Sequence, residues 1–145
     1  MLGSSIIAGA NKEIFTSLLE YGKDIGIAFQ IVDDIIDLTV GKGRGEIGCD
    51  IKEGKKTLMI LHALRICNLN EKQRILEILR KPREKTTSVD ILDVKKILEK
   101  YNSINYANNK SIEFSEKAKK SIKDAPENLR NFLEEFADFV VQRQI

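Results

Sequence analysis

Hydrophobic residues recur at helical spacing along most of the chain, and no run alternates as a strand on a sheet would. This periodicity predicts a short N-terminal piece over Leu2–Ala10 and a long helix from about Lys12 to Leu38. A glycine-rich loop follows, and the next predicted helix carries the segment KKTLMILHALRIC. The pattern therefore predicts an all-α fold, a helical bundle that forms a single domain over residues 1–145.

Four shorter helices are predicted after this point. The first carries the segment EKQRILEILR and ends before Pro82, because the residue that precedes a proline disfavours the helical conformation. The second begins after Thr87 or Ser88 and carries VDILDVKKILEKY. Thr87 and Asp90 have the spacing of a capping box, which favours a helix start at this place.

The last two predicted helices complete the bundle. One runs over about Ile104–Ile122, and the other opens at the segment DAPENL. Asp124 and Glu127 have capping-box spacing, and Pro126 falls in the first turn, where its missing donor costs nothing. One stripe of the last helix is apolar, which is typical of core or of a contact with a partner helix: Leu129, Phe132, Leu133, Phe136, Phe139 and Val140.

Composition narrows the class of protein. A hydrophobic fraction of 42% and a charged fraction of 32% are typical of a soluble globular protein. The net charge of +2 gives no reason to expect a nucleic acid partner. Cys49 and Cys67 lack metal-ligand spacing, so they are interpreted as reduced thiols of a cytoplasmic protein. The sequence shows no secretory signal and no apolar run of transmembrane length.

Three aspartates lie within an apolar run of the long predicted helix. Asp33 and Asp37 are one turn apart and point the same way, and Asp34 lies on the flank. Apolar residues surround them, so this helix is expected to be mostly buried. Three carboxylates within one turn repel one another and lose hydration, which is costly unless a cation is supplied. The alternative is that they face solvent and only solubilise the helix.

A basic, glycine-rich loop follows these aspartates. Lys42, Arg44, Lys55 and Lys56 lie in the loop or just after it, and such side chains can hold phosphate oxygens directly. A Mg²⁺ ion binds through one or two carboxylates and completes its shell with water and substrate phosphates. The aspartates and the basic residues together therefore predict a metal–diphosphate site.

The stretch Phe29–Thr57 resembles the second aspartate-rich region of the trans-isoprenyl diphosphate synthases, or polyprenyl synthetases. The family pattern is phenylalanine–glutamine, DDxxD, a glycine–lysine loop, an aspartate and a segment EGKxT. Three further segments, LGSSIIAGA, ILEKYNSINYA and FADFVVQR, resemble the family more loosely, so the resemblance covers essentially the whole chain. The matching residues are Phe29-Gln30, Asp33-Asp34-Ile35-Ile36-Asp37, Gly41-Lys42, Asp50 and Glu53-Gly54-Lys55-Lys56-Thr57.

The resemblance implies the C-terminal half of the isoprenoid synthase fold. It also implies a Mg²⁺-dependent prenyltransferase that elongates an allylic diphosphate with isopentenyl diphosphate. In the family's scheme Asp33 and Asp37 hold Mg²⁺ and Asp34 supports them. These three aspartates and Lys55 are then the catalytic residues.

The resemblance also assigns the diphosphate contacts. Lys55 is one of them, and Gln30, one turn before the first aspartate, faces the same cavity. The loop after the aspartates is shorter and richer in glycine than the family pattern. The second cationic contact therefore falls on Lys42 or on Arg44, and both alternatives stay open.

Family members are roughly twice as long as this chain. Their first aspartate-rich motif and the basic residues for isopentenyl diphosphate would precede Met1. The resemblance thus implies a chain that supplies the second metal-binding half and has little activity alone, whether as a truncated form, a fragment gene or a split-enzyme subunit. The alternative function is a non-catalytic or regulatory partner subunit of a prenyltransferase. Half a bundle leaves an apolar face uncovered, so a homo-oligomer or a complex with a partner subunit is expected. Product chain length stays open.

Overall fold

The computed structural model describes residues 12–41 and 47–143, and within these ranges every regular element is helical. The all-α prediction is confirmed, while the piece predicted at Leu2–Ala10 lies outside the described residues. None of the described helices has the length and apolar character needed to cross a membrane. The helices are α1 (Lys12–Thr39), α2 (Cys49–Lys52), α3 (Leu58–Ile66), α4 (Leu69–Leu79), α5 (Ser88–Lys100), α6 (Ser103–Ser121) and α7 (Glu127–Gln142), with a 3₁₀ turn at Arg83–Lys85.

The observed helix bounds differ from the predicted ones mainly after the glycine-rich loop. Helix α2 is not predicted, because four residues are too few to show a helical repeat. Helix α3 begins only at Leu58, so the two lysines that were assigned to it precede it. Helix α4 begins earlier than predicted because Asn68 caps it, and the Asn68 side chain accepts a hydrogen bond from Glu71 N at 2.9 Å.

One of the two predicted capping boxes is confirmed. At the start of α5, Thr87 Oγ1 accepts from Asp90 N at 3.2 Å, and Asp90 Oδ2 accepts from Thr87 N at 3.0 Å. The prediction of a second box at Asp124 and Glu127 is wrong. Helix α7 starts only at Glu127, with Pro126 as N-cap and no side-chain cap. Asp124 therefore lies two residues before the N-cap, too early to cap the helix.

The contacts group the described residues into two compact units. The first contains the described residues up to Val32 and those from Asn109 onward, and the second is Asp33–Asn108. The prediction of one domain over residues 1–145 stays a prediction. In the first unit, Tyr21 is fully buried, and its hydroxyl donates to the backbone oxygen of Leu133 at 2.6 Å. Burial raises the pKa of Tyr21 to about 12, so this donor stays protonated at neutral pH.

The second unit contains the end of α1, helices α2 to α5 and the start of α6. Helix α5 packs against α3 and α4, these two pack against each other, and α2 packs against α4. Helices α3, α4 and α5 each turn an apolar stripe inward, which is why they pack although each is short. The buried side chains include Met59, Ile60, Ala63, Ile75, Ile78, Ile91, Val94 and Leu98.

The apolar stripe predicted on α7 divides between core and solvent. Leu133 and Val140 are buried in the core of the first unit, and Leu129 packs partly against it. The stripe is wider than the surface that this core covers, so its remaining members stay exposed. We call these three side chains the phenylalanine face: Phe132, Phe136 and Phe139, with exposed fractions of 65%, 41% and 59%.

Candidate functional site

The three aspartates near the end of α1 differ in their exposure. Asp33 and Asp34 are half-buried, whereas Asp37 is only 1% exposed. The expectation that the helix is buried on nearly all sides is therefore wrong, because Phe29 and Gln30 are also exposed. Helix α1 instead carries a buried side, and Asp37 is the member of the aspartate motif that lies on it.

The chain after the glycine-rich loop returns to Asp37. Asp50 N donates to Asp37 Oδ2 at 3.0 Å, and Gly48 N donates to the backbone oxygen of Asp37 at 2.8 Å. Gly48 has φ 76°, and a Cβ atom there would lie 2.6 Å from Ile91 Cγ2. This turn therefore needs glycine both for its conformation and for its space. The two hydrogen bonds anchor the start of α2 on the last aspartate of the motif.

Asp50 connects Asp37 to Lys55. The Asp50 side chain is buried, and its Oδ1 lies 2.6 Å from Lys55 Nζ. The backbone of the same pair is also joined, because Lys55 N donates to Asp50 O at 2.9 Å. The hydrogen bond to Asp50, followed by one to Glu53, raises the pKa of Lys55. Lys55 is therefore a half-exposed, protonated ammonium group beside the buried carboxylate of Asp50.

Glu53 holds Lys55 from another direction. Glu53 Oε2 lies 2.9 Å from Lys55 Nζ, and Glu53 Oε1 lies 2.7 Å from Arg83 Nη1. The hydrogen bond from Lys55 is the main cause that lowers the pKa of Glu53. Between the two residues, Gly54 has φ 68°, and a Cβ atom there would lie 2.5 Å from the backbone oxygen of Leu79. A turn that only glycine adopts easily thus directs Lys55 toward Asp50.

A small cavity lies beside these groups, with a volume of about 10 Å³. Asp34, Asp37, Asp50 and Thr57 contribute to its lining. The Thr57 hydroxyl is buried and has no hydrogen-bond partner among the described residues. All four side chains offer the hard oxygen donors that Mg²⁺ prefers.

The described ranges contain no group of three or more His, Cys, Asp or Glu side chains arranged to hold a metal ion. Mg²⁺ does not require such a cage, because it usually keeps several waters and takes further ligands from phosphate oxygens. The buried Thr57 hydroxyl and the carboxylates around the same cavity supply the oxygen donors that a hard cation prefers. The residues present therefore fit a Mg²⁺ ion that binds together with a diphosphate.

The structure brings some of the predicted site residues together. Asp34 and Asp37 line the cavity, and Lys55 joins them through its contact with Asp50. Asp33 lies in the same turn of α1 as Asp34 and is half-buried. These residues keep the roles assigned above as predictions.

Other predicted residues are placed differently. Gln30 is exposed on α1, and Lys42 and Arg44 lie outside the described residues. Asp50 and Thr57 match the family pattern, but the sequence predicts no role for either residue. The position of Asp50 between the loop and the EGKxT segment is a signal that could have identified it, whereas nothing in the sequence indicates that Thr57 is buried.

The comparison with known proteins identifies the family. Residues 3–100 match the model of the polyprenyl synthetase family. An all-helical fold and an aspartate motif tied to a lysine through its following loop agree with that match. The chain therefore belongs to the polyprenyl synthetase family.

Individual relatives agree with this family. The chain is 39% identical over 142 residues to a short chain isoprenyl diphosphate synthase of Methanocaldococcus jannaschii. This match covers 96% of the chain and 42% of that protein. The crystal structure of a decaprenyl diphosphate synthase from Rhodobacter capsulatus matches with a TM-score of 0.87 and 26% identity, over 99% of this chain and 45% of that one.

A third similar structure contains bound ligands. It is a geranylgeranyl pyrophosphate synthase from Corynebacterium glutamicum complexed with isoprenyl diphosphate and magnesium. The match has a TM-score of 0.80 and 26% identity, and covers 94% of this chain and 40% of that one. The chain thus spans less than half the length of these three proteins.

Proposed function

We propose that this chain supplies the second aspartate-rich half of an isoprenyl diphosphate synthase, a transferase that elongates an allylic diphosphate with isopentenyl diphosphate. In this proposal Asp33, Asp34 and Asp37 bind Mg²⁺, and Lys55 binds the diphosphate. The observation that carries it is the continuous contact from Asp37 through Asp50 to Lys55. It sets a cation and an anion of the motif side by side, as a metal–diphosphate site requires.

The residues of this site serve the departure of diphosphate from the allylic substrate. When bound, Mg²⁺ would neutralise the charge that grows on the leaving oxygens. The ammonium group of Lys55 stabilises the same charge, and its contacts with Asp50 and Glu53 hold it in place before the reaction. The family pattern alone adds Gln30 and either Lys42 or Arg44 as further diphosphate contacts.

Lys55→Ala is expected to weaken the binding of pyrophosphate in the presence of Mg²⁺ by about ten-fold, because a charge-assisted contact is lost. The carboxylates would remain able to hold the metal. Calorimetric titration of pyrophosphate with and without Mg²⁺ measures the affinity for pyrophosphate and its dependence on the metal.

Lys85→Ala is the matched control for Lys55→Ala. It removes the same charge from an exposed position in the 3₁₀ turn Arg83–Lys85. Its affinity for pyrophosphate should equal that of the wild-type chain. If both variants lose the same affinity, the loss reflects net charge, and Lys55 has no special role.

The isolated chain is expected to have little or no prenyltransferase activity and to associate. The first expectation is supported by the length of the relative from Methanocaldococcus jannaschii, of which this chain covers only 42%. The second is supported by the exposed phenylalanine face on α7. Incubation of the purified chain with labelled isopentenyl diphosphate, an allylic diphosphate and Mg²⁺ measures turnover. Light scattering over a range of concentrations measures association. Robust turnover by a strictly monomeric chain would contradict this prediction.

A second candidate function is a non-catalytic or regulatory subunit that binds a partner synthase. The phenylalanine face favours it, because exposed aromatic side chains on one helix face often mark a contact with another polypeptide. The two candidate functions differ in what they require of the metal site. A synthase half should bind pyrophosphate better with Mg²⁺ present, whereas a regulatory subunit has no need of that enhancement. For either function we propose the cytoplasm as the location, because Cys49 and Cys67 are not joined in a disulfide.

A further inference from the structure

Thr57 occupies the N-cap position of helix α3 without capping it. Its φ of −62° and ψ of 165° are those of an ordinary N-cap residue, and its backbone oxygen accepts from Leu61 N at 2.9 Å. A threonine at this position normally accepts a hydrogen bond from a backbone N–H of the first turn. The Thr57 side chain makes no such bond. Its hydroxyl is therefore turned away from the interaction that the local sequence favours.

The hydroxyl is buried in the place to which it turns. Thr57 is only 8% exposed, and Oγ1 has no hydrogen-bond partner within residues 12–41 and 47–143. Burying an unsatisfied hydroxyl is costly, and native proteins usually satisfy such groups with protein or ordered water. The orientation of Thr57 therefore needs a partner that is not a protein atom of the described chain.

The cavity beside Thr57 has the size and polarity for one water molecule. Its volume of about 10 Å³ is close to the space that the centre of a single water needs. The side chains of Asp34, Asp37 and Asp50 line the same cavity and offer acceptors for the two protons of a water. The remaining lining is apolar, so a bound water would be directed toward the hydroxyl and the carboxylates.

We propose that Thr57 is a positioning residue of the metal site. Its hydroxyl donates to one buried water, and that water donates to the carboxylates of the cavity, Asp37 among them. The water holds Asp37 in one orientation while Asp50 N holds the other side of the same carboxylate. Thr57 thus links the start of α3 to the end of α1, and this role rests on the proposed function of the site.

Two substitutions in the full chain separate this role from simple packing. Thr57→Val keeps the shape and removes the hydroxyl, whereas Thr57→Ser keeps the hydroxyl. We expect Thr57→Val to reduce the enhancement of pyrophosphate binding by Mg²⁺ by about five-fold or more, the lower range of measured couplings between sites. Thr57→Ser should retain that enhancement. Calorimetric titration measures the enhancement, and thermal unfolding measures the stability of each variant.

Thr86→Val is the matched control. Thr86 is a buried threonine of the same unit, but its hydroxyl donates to the backbone oxygen of Pro82 at 3.3 Å, and it does not line the cavity. It should leave the enhancement unchanged, even if it lowers the melting temperature. Equal losses of enhancement in Thr86→Val and Thr57→Val would overturn the proposal, since the effect would then follow from any buried threonine.

The remaining outcomes also decide the matter. If the wild-type chain shows the enhancement and Thr57→Val shows it equally with a raised melting temperature, the hydroxyl is only an unsatisfied group, and the role of Thr57 is overturned while the proposed function stands. If the wild-type chain shows no enhancement, the proposed function fails and the role of Thr57 fails with it. A crystal structure with an ordered water between Thr57 Oγ1 and Asp37 would support the proposal, and a Thr57 side chain that caps α3 would overturn it.

Discussion

Replacing Asp33 and Asp37 together by alanine is expected to abolish the enhancement of pyrophosphate binding by Mg²⁺. In the wild-type chain this enhancement should be about 5- to 150-fold, the range of typical couplings between two ligands. It would arise because a Mg²⁺ ion held by these carboxylates would also take phosphate oxygens as ligands, so that each ligand would bind better when the other is present. Calorimetric titration of pyrophosphate at zero and saturating Mg²⁺ measures it.

Two further variants keep this result interpretable. Because Asp37 Oδ2 accepts from the buried Asp50 N, the alanine variant also loses about 1 kcal/mol of stability. The pair Asp33→Asn and Asp37→Asn keeps an acceptor in place and should still lose the enhancement. The pair Asp124→Ala and Glu127→Ala removes two negative charges from exposed positions and should keep it. If the wild-type chain and the Asp33/Asp37 variants respond alike, the aspartates do not form a metal–diphosphate site.

Asp90→Ala is expected to lower the free energy of unfolding by about 2–4 kcal/mol. Asp90 is buried, and its carboxylate both completes the capping box with Thr87 and binds two cations. Its Oδ1 lies 2.7 Å from Lys81 Nζ and 3.1 Å from Arg74 Nη2. Removing the carboxylate leaves Thr87 N without its acceptor in the capping box and leaves Lys81 without this partner. Urea unfolding at neutral pH measures the change.

The neighbouring Asp93→Ala provides a control on the same helix. Asp93 contacts the same Arg74 at 2.7 Å, but its side chain is 35% exposed and takes no part in the cap. Its loss should cost less than about 1 kcal/mol, as for exposed ion pairs. Equal losses in the two variants would show that the cap and the burial of Asp90 contribute nothing beyond one ion pair.

The same carboxylate makes the stability depend on pH. The hydrogen bond from Lys81, followed by the one from Thr87 N, holds the pKa of Asp90 well below its ordinary value of 3.8. A group whose pKa is lower in the folded state stabilises the protein fully above its unfolded pKa. This stabilisation is lost as the pH falls below about 4. The difference in stability between the wild-type chain and Asp90→Ala should therefore shrink in acid.

Much of the local structure follows from short stretches of sequence. The capping box at Thr87 and Asp90 was predictable because all of its atoms lie within one helical turn. The start of α7 was not predictable, since Asp124 and Glu127 have the right spacing but residues 122–125 form turns and a bend, and Pro126 is the N-cap. Helix α2 was not predictable because its four residues are too few to show a helical repeat of apolar positions. Contacts with Asp37 hold them in place instead.

The candidate site also has features that the sequence predicts and features that it does not. The aspartate motif, the basic loop and the EGKxT segment were recognisable from residue types and spacing alone. The sequence also led to an expectation that all three aspartates are buried among apolar residues, and only Asp37 is. Burial depends on which side of α1 other helices cover. The apolar stripe of a helix predicts the direction of its buried side, but it does not predict the exposure of each individual residue.

The sequence by itself determined that the chain is all-helical and which family it resembles, because helical periodicity and motif spacing are properties of neighbouring residues. Only the tertiary structure decided that Asp50 joins Asp37 to Lys55, and that the buried Thr57 lines a cavity together with Asp37 and Asp50. These contacts arise where a loop returns to the end of α1 and meets the start of α3. The physical reason is that buried polar groups such as the Asp37 carboxylate take partners from residues distant in the sequence, and no local pattern specifies which atoms then meet.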